Sequence, residues 1–94
     1  MLKEAYHPKA FLSLRKNVRP GLVTRTRIIV LLERGAFNTR TIAQETGLRY
    51  ATVLRHLHLL KAEDILTRKG NKPYLWELTG AGQQRLTNLR GKQL

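Results

Sequence analysis

Ninety-four residues make one domain, and leave little room for a second. Eighteen Lys and Arg against six Asp and Glu give a formal net charge of +12, a self-repulsion that opposes compaction and that a polyanion relieves. A hydrophobic share of 41% suffices for a core, and the absence of cysteine excludes disulfides, thiolate zinc sites and cysteine nucleophiles.

Residues 1–20 read as a basic N-terminal arm. Pro8 is placed to open a short helix, since proline suits a first helical turn. Ala10, Phe11, Leu12 and Leu14 would give that helix an apolar side, Arg15, Lys16 and Arg19 a basic end, and Pro20-Gly21 a stop. Residues 21–94 form the domain proper. A first strong helix is expected from about Thr24 to Arg34, with Ile28, Ile29, Leu31 and Leu32 as its apolar stripe and Gly35 after it. A second, short helix is expected over Thr39–Thr46, capped by Asn38 or Thr39 and ended by Gly47, with Ile42 and Ala43 facing inward. A third runs from about Tyr50 to Ala62, with Val53, Leu57 and Leu60 as its core face. Leu54 and Leu59 flank that face and have three readings: packing on the arm, a subunit contact, or a wider core stripe. Ile65–Lys69 and Tyr74–Leu78 read as strands around the turn-rich Gly70-Asn71-Lys72-Pro73, a hairpin with a basic tip. Thr79 is placed to cap a last helix carrying Leu86 and Leu89. Trp76 is expected to pack against that helix rather than stack on a base. The longest aliphatic run, Ile28 to Leu32, is far too short for a membrane span, and Met1–Ala5 lacks the apolar stretch of a signal peptide. A cytoplasmic, nucleoid-associated protein is the expectation.

Three helices, a hairpin and a last helix, with a tight turn at Gly47, are the layout of a winged helix-turn-helix, mainly α with a small β wing. Thr39-Arg40-Thr41-Ile42-Ala43-Gln44-Glu45-Thr46-Gly47-Leu48 resembles the second helix and turn of that superfamily. Thr52-Val53-Leu54-Arg55-His56-Leu57-His58-Leu59-Leu60 resembles its recognition helix, and Glu77-Leu78-Thr79-Gly80-Ala81-Gly82 its wing closure. The resemblance covers about residues 22–90 and is nearest to the arsenic-repressor-like and multiple-antibiotic-resistance-regulator-like groups. It implies DNA binding and, in those groups, transcription regulation. Arg49 stands where the family has a small capping residue, so that helix start must be satisfied another way. Asp64 stands where the family has Gly, and Asp tolerates the left-handed turn.

At about 100° per residue, Ala51, Arg55 and His58 face away from the core, with Thr52, His56 and Leu59 on one flank. In this fold the N-terminal half of the third helix enters the major groove, which makes Arg49, Tyr50, Thr52, Arg55 and His56 the candidate base-edge and phosphate contacts. The two-pronged guanidinium of Arg55 suits a guanine. Arg68, Lys69 and Lys72 bracket the wing turn, and Arg25, Arg27 and Arg40 near helix starts are candidates for backbone contacts. The plainer readings are a solvated helix surface, and a charged wing that blocks strand-to-strand aggregation. No catalytic constellation, cofactor motif, metal set or small-molecule pocket is legible: His56 and His58 diverge on their helix, and Glu63-Asp64 is an adjacent pair at a turn. The expected function is sequence-dependent double-stranded DNA binding without enzymatic activity, in a homodimer built from the arm, the last helix or both. The alternative is a chromatin-type or RNA- and ribosome-associated binder with little sequence preference.

Overall fold

A computed structural model of the chain describes residues 5–80. The expected last helix, with Leu86 and Leu89, lies outside them. The order is a 3₁₀ turn at Pro8–Ala10, helices α1 (Arg19–Leu32), α2 (Thr39–Thr46) and α3 (Tyr50–Ala62), and strands β1 (Leu66–Lys69) and β2 (Leu75–Leu78).

Helix α1 begins five residues earlier than its apolar pattern alone suggests. Pro20 does not stop a preceding helix; it sits in the first turn of α1, where a missing N–H costs nothing. Gly21 is inside the helix because the Arg25 side chain crosses it: a Cβ there would lie 2.8 Å from Arg25 Nη1. The stripe Ile28, Ile29, Leu31 and Leu32 is buried, as its spacing predicts. Both α2 and α3 have the expected bounds. Asn38 Oδ1 caps α2 by accepting from the Thr41 N–H at 2.8 Å, and Gly47 ends it in the left-handed region at φ 73°. Arg49, at the N-cap of α3, makes no side-chain cap bond. Asp64 adopts φ 60°, which turns the chain from α3 into β1. The Ile65 N–H there reaches back to the Leu60 carbonyl at 3.1 Å.

The hairpin is antiparallel, pairing Leu66 with Leu78 and Arg68 with Trp76. Each strand is one residue shorter than expected. Phe37 extends the sheet by a bridge to Trp76, each N–H donating to the other's carbonyl at 3.1 and 2.9 Å. That bridge ties the wing to the entrance of α2. The Thr79 hydroxyl donates to the Asp64 carbonyl and so clasps the base of the wing. Ile28, Ile29, Ile42, Val53, Leu57, Leu60, Ile65, Leu66 and Trp76 make one continuous core.

The arm folds onto its own domain instead of projecting from it, and residues 11–18 are irregular rather than helical. Ala10 and Leu12 are buried in that core. His7 Nε2 donates to Glu33 Oε2 at 3.0 Å, and the His7 N–H to Thr26 Oγ1 at 3.0 Å. Asn17 closes a loop on Leu12 with reciprocal bonds of 2.7 and 2.8 Å. The carboxylate of Glu63 accepts from the Ser13 N–H, the Ser13 hydroxyl and the Leu14 N–H at 2.7, 2.8 and 3.0 Å. Leu12 therefore finds its partner inside the chain, whereas Phe11, Leu14 and Val18 stay exposed.

Candidate nucleic-acid interface

The outer ridge of α3, formed by Ala51, Arg55 and His58, is exposed as its angular spacing predicts. A cleft runs along each side of that ridge. On one side, a groove of about 660 Å³ lies between α3, the start of α2 and the wing. Tyr50, Leu54 and His58 form its helical wall, Asn38, Thr39 and Arg40 its end, and Arg68, Lys72, Tyr74 and Trp76 its far wall. Among the described residues, no carboxylate lines it.

The wall is rigid for identifiable reasons. Trp76 is 1% exposed, and its indole N–H donates to Thr39 Oγ1 at 3.0 Å, which satisfies the one polar atom of a buried ring. His58 meets it edge to face, centroids 5.5 Å apart at 87°. These contacts run to α2 and α3; the expected packing of Trp76 on a last helix lies outside the described residues. Arg68 stands over the Tyr74 ring at 4.2 Å and 5.7 Å from the Trp76 centroid, so its guanidinium is held beside the groove. Lys72 is exposed at the wing tip, whereas Lys69 is engaged by Glu77 at 3.1 Å.

On the other side of the ridge, a cleft of about 570 Å³ separates α3 from the arm and the start of α1. Thr52, Arg55, His56 and Leu59 contribute from the helix, and Arg15 and Lys16 from the arm. Two expected contact residues prove to belong to its frame. Arg25 is only 3% exposed: Nε donates to the Ala10 carbonyl at 2.6 Å, Nη2 to Asn17 Oδ1 at 3.1 Å, and Nη1 to His56 Nδ1 at 3.3 Å. A guanidinium can only donate, so His56 Nδ1 accepts and the ring proton sits on Nε2. Burial, with Arg25 and Arg55 beside it, holds the His56 pKa down at about 4. Burial also lowers that of Arg25, with Glu63 opposing. Both side chains are nearly buried at the back of the cleft, Arg25 bonded to the arm and His56 to Arg25.

The candidate residues thus fall into groups. Arg40, Tyr50, Arg68 and Lys72 line the wing groove, and Thr52 and Arg55 the arm cleft. Arg49 is exposed at the start of α3. Arg27 is exposed on α1 near Tyr6 and lines neither cleft. Missed in the sequence are Asn38, Thr39, His58 and Tyr74 in the groove, and Arg15 and Lys16 in the arm cleft. Leu54 and Leu59, the two flanking leucines, are half-buried against the core, one beside each cleft. Among the described residues no group of three or more His, Asp or Glu is placed to hold a metal ion, and no helix is long and apolar enough to cross a membrane.

Compared by sequence, the chain matches no protein-family model and no curated protein. Compared by structure, it is similar to the Zalpha domain from Carassius auratus PKZ, solved in complex with Z-DNA. The identity is 34%, the TM-score 0.58, and the match covers 61% of this chain and 94% of that one. It is also similar to a possible transcriptional regulator for arsenical resistance, at 21% identity and a TM-score of 0.63 over 74% of each chain. A third likeness is to a homodimeric winged helix-turn-helix DNA-binding domain from Mycobacterium bovis, at 24% identity and a TM-score of 0.62, covering 73% of this chain and 65% of that one. The latter two show the fold alone.

Proposed function

From a chain that belongs to the winged helix DNA-binding domains, we infer a double-stranded DNA-binding protein that presents the exposed ridge and N-terminal half of α3 to the major groove. The observation that carries this reading is the wing groove. Arg40, Arg68 and Lys72 surround an exposed Tyr50 with no carboxylate among them, against a rigid Trp76–His58 wall. Basic groups around a groove position phosphates, while the ridge residue Arg55 is free to fork onto a base edge. Regulation of transcription through a sequence-dependent site follows if that fork reads a guanine. Binding with little preference, on DNA or structured RNA, follows if the contacts stop at phosphate.

A second reading, recognition of a left-handed duplex, is favoured by the likeness to the Zalpha domain bound to Z-DNA. A homodimer is part of the proposal. The M. bovis neighbour is homodimeric, and Phe11, Leu14 and Val18 remain uncovered on the arm. A two-fold pair would set two α3 helices about 34 Å apart, one turn of DNA.

Titration of the protein into random-sequence duplex, a selected duplex, alternating dC-dG duplex and structured RNA across a salt series tests these readings together. A large ratio of selected over random binding supports a regulator, and equal, salt-steep binding an architectural protein. Inversion of the circular dichroism of the dC-dG duplex on binding supports the left-handed reading. Absence of binding to every duplex refutes the function. Light scattering with and without duplex tests the dimer, and a monomer mass in both refutes it.

A further inference from the structure

An α-helix with its side chains is about 10–12 Å across, close to the roughly 12 Å width of the major groove. A helix that fills the groove therefore has a phosphate backbone along each flank. On α3 both flanks are built. The wing supplies Arg68 and Lys72 on one side, and the arm supplies Arg15 and Lys16 on the other. We propose that the arm is a second backbone clamp: Arg15 and Lys16 grip the phosphates of the strand opposite to the one held by the wing. The proposal rests on the duplex-binding reading above and deepens it.

Several observations point to this partner. The cleft between arm and α3 is lined by Arg15, Lys16, Arg25 and Arg55 and, among the described residues, by no carboxylate. Arg15, Lys16 and Arg55 are exposed, and no ion pair with a described residue is seen at any of them. Thr24 and Thr52 add hydroxyls to the same walls, and such hydroxyls serve as phosphate donors. The two arm cations stand in an irregular segment that is nonetheless anchored at both ends. Glu63 holds the backbone at Ser13 and Leu14, and Asn17 is held by both Leu12 and Arg25. Little ordering entropy then remains to be lost when a phosphate arrives. Burial of Arg25 behind the cleft adds a fixed positive charge to its floor. The wing and the arm thus flank one ridge in the way two strands flank one groove.

The test compares the wild-type chain with Arg15→Ala/Lys16→Ala and with a control of equal charge loss, Arg34→Ala/Lys61→Ala, whose side chains are exposed but line neither cleft. Duplex affinity is measured between 50 and 300 mM salt, on the order of the range where counterion release is read. The arm variant is expected to lower the slope of log K against log salt by about two units, at roughly 0.9 for each phosphate no longer neutralised, and the control to leave it nearly unchanged. Phosphate-ethylation interference should show contacts on both strands for the wild type, with those on one strand missing for the arm variant. Thermal melting of all three should coincide.

An equal slope change in the control would assign the effect to net charge and overturn the clamp. So would an unchanged slope in the arm variant while Lys72→Ala still lowers it, a result that leaves the duplex-binding reading standing. Failure of the wild type to bind any duplex would overturn both. Titration with inorganic phosphate separates a free-anion site from a strand contact. Saturable binding abolished by the arm variant, with duplex binding unaffected, would replace the clamp by a small-anion site.

Discussion

His56 makes the stability of this domain depend on pH in a direction that can be worked out. The ring is 7% exposed, with Nδ1 accepting from Arg25 at 3.3 Å. Protonation of Nδ1 would remove that acceptor and set two cations face to face, which is why burial and the neighbouring guanidinium groups hold the pKa at about 4. In the unfolded chain the ring titrates near 6.5. Between those values the unfolded state binds the proton and the folded state does not, so stability is lost as pH falls from about 6.5 toward 4. A shift of roughly 2.5 units at about 1.36 kcal/mol each sets a ceiling near 3.4 kcal/mol. The ring borders an open cleft, and screening by solvent there brings the figure to about 1.5–2 kcal/mol.

His56→Asn keeps an acceptor near the position of Nδ1 and does not titrate. Urea denaturation of both proteins at pH 7, 6, 5 and 4 gives the difference in unfolding free energy at each pH. The other histidines and the carboxylates are common to both and cancel. Relative to the variant, the wild type should lose about 1.5–2 kcal/mol between pH 7 and 4. Parallel curves would refute both the depressed pKa and the Arg25–His56 contact it rests on.

Arg55→Ala should weaken binding to a selected duplex by about 1–3 kcal/mol with a relaxed base preference, as measured by fluorescence anisotropy; unchanged affinity and preference would remove Arg55 from readout. Lys72→Ala should weaken all duplexes alike and lower the salt slope by about one unit, whereas Lys69→Ala, already engaged by Glu77, should change it less. Trp76→Phe removes the bond to Thr39 and leaves that buried hydroxyl without its donor. It should cost about 1–3 kcal/mol by chemical denaturation, and a stability equal to wild type would mean that the indole N–H is not buried as described.

The helices were legible because their signals are local. Asn38 and Gly47 mark the two ends of α2, and Val53, Leu57 and Leu60 repeat at the helical period, so both bounds and core face follow from residues close in sequence. Asp64 in the left-handed turn was legible for the same reason. Long-range pairings were not. Phe37 pairs with Trp76 across thirty-nine positions, and nothing near either residue announces it. Pro20-Gly21 has the composition of a stop, but it acts as a start because proline fits a first turn and Gly21 leaves room for Arg25. The near-burial of Arg25 and His56, both expected as contact residues, was not legible, since a basic side chain near a helix start such as Arg25 is ordinarily solvated. Only the folded arm, bringing the Ala10 carbonyl and Asn17 to Arg25, makes its burial tolerable. The same folding hid Arg15 and Lys16, whose position beside α3 is a property of the arm's path and not of their neighbours in sequence.

Of the bonds that Ser13 and Leu14 donate to Glu63, two come from the main chain. The placement of residues 13 and 14 is therefore written at position 63 and not in the side chain of Leu14, while Leu12 and Asn17 secure the arm on either side with side chains of their own. Residues 14–16 can change identity, proline at position 14 excepted, and the backbone will still be caught at the end of α3. A lineage carrying this domain could recolour the arm, exchanging cations for neutral or acidic groups, without re-solving how the arm folds. Grip on a polyanion would then drift independently of the core and of the ridge on α3, a modularity that deep mutational scanning would display as tolerance at positions 14–16 and intolerance at 63.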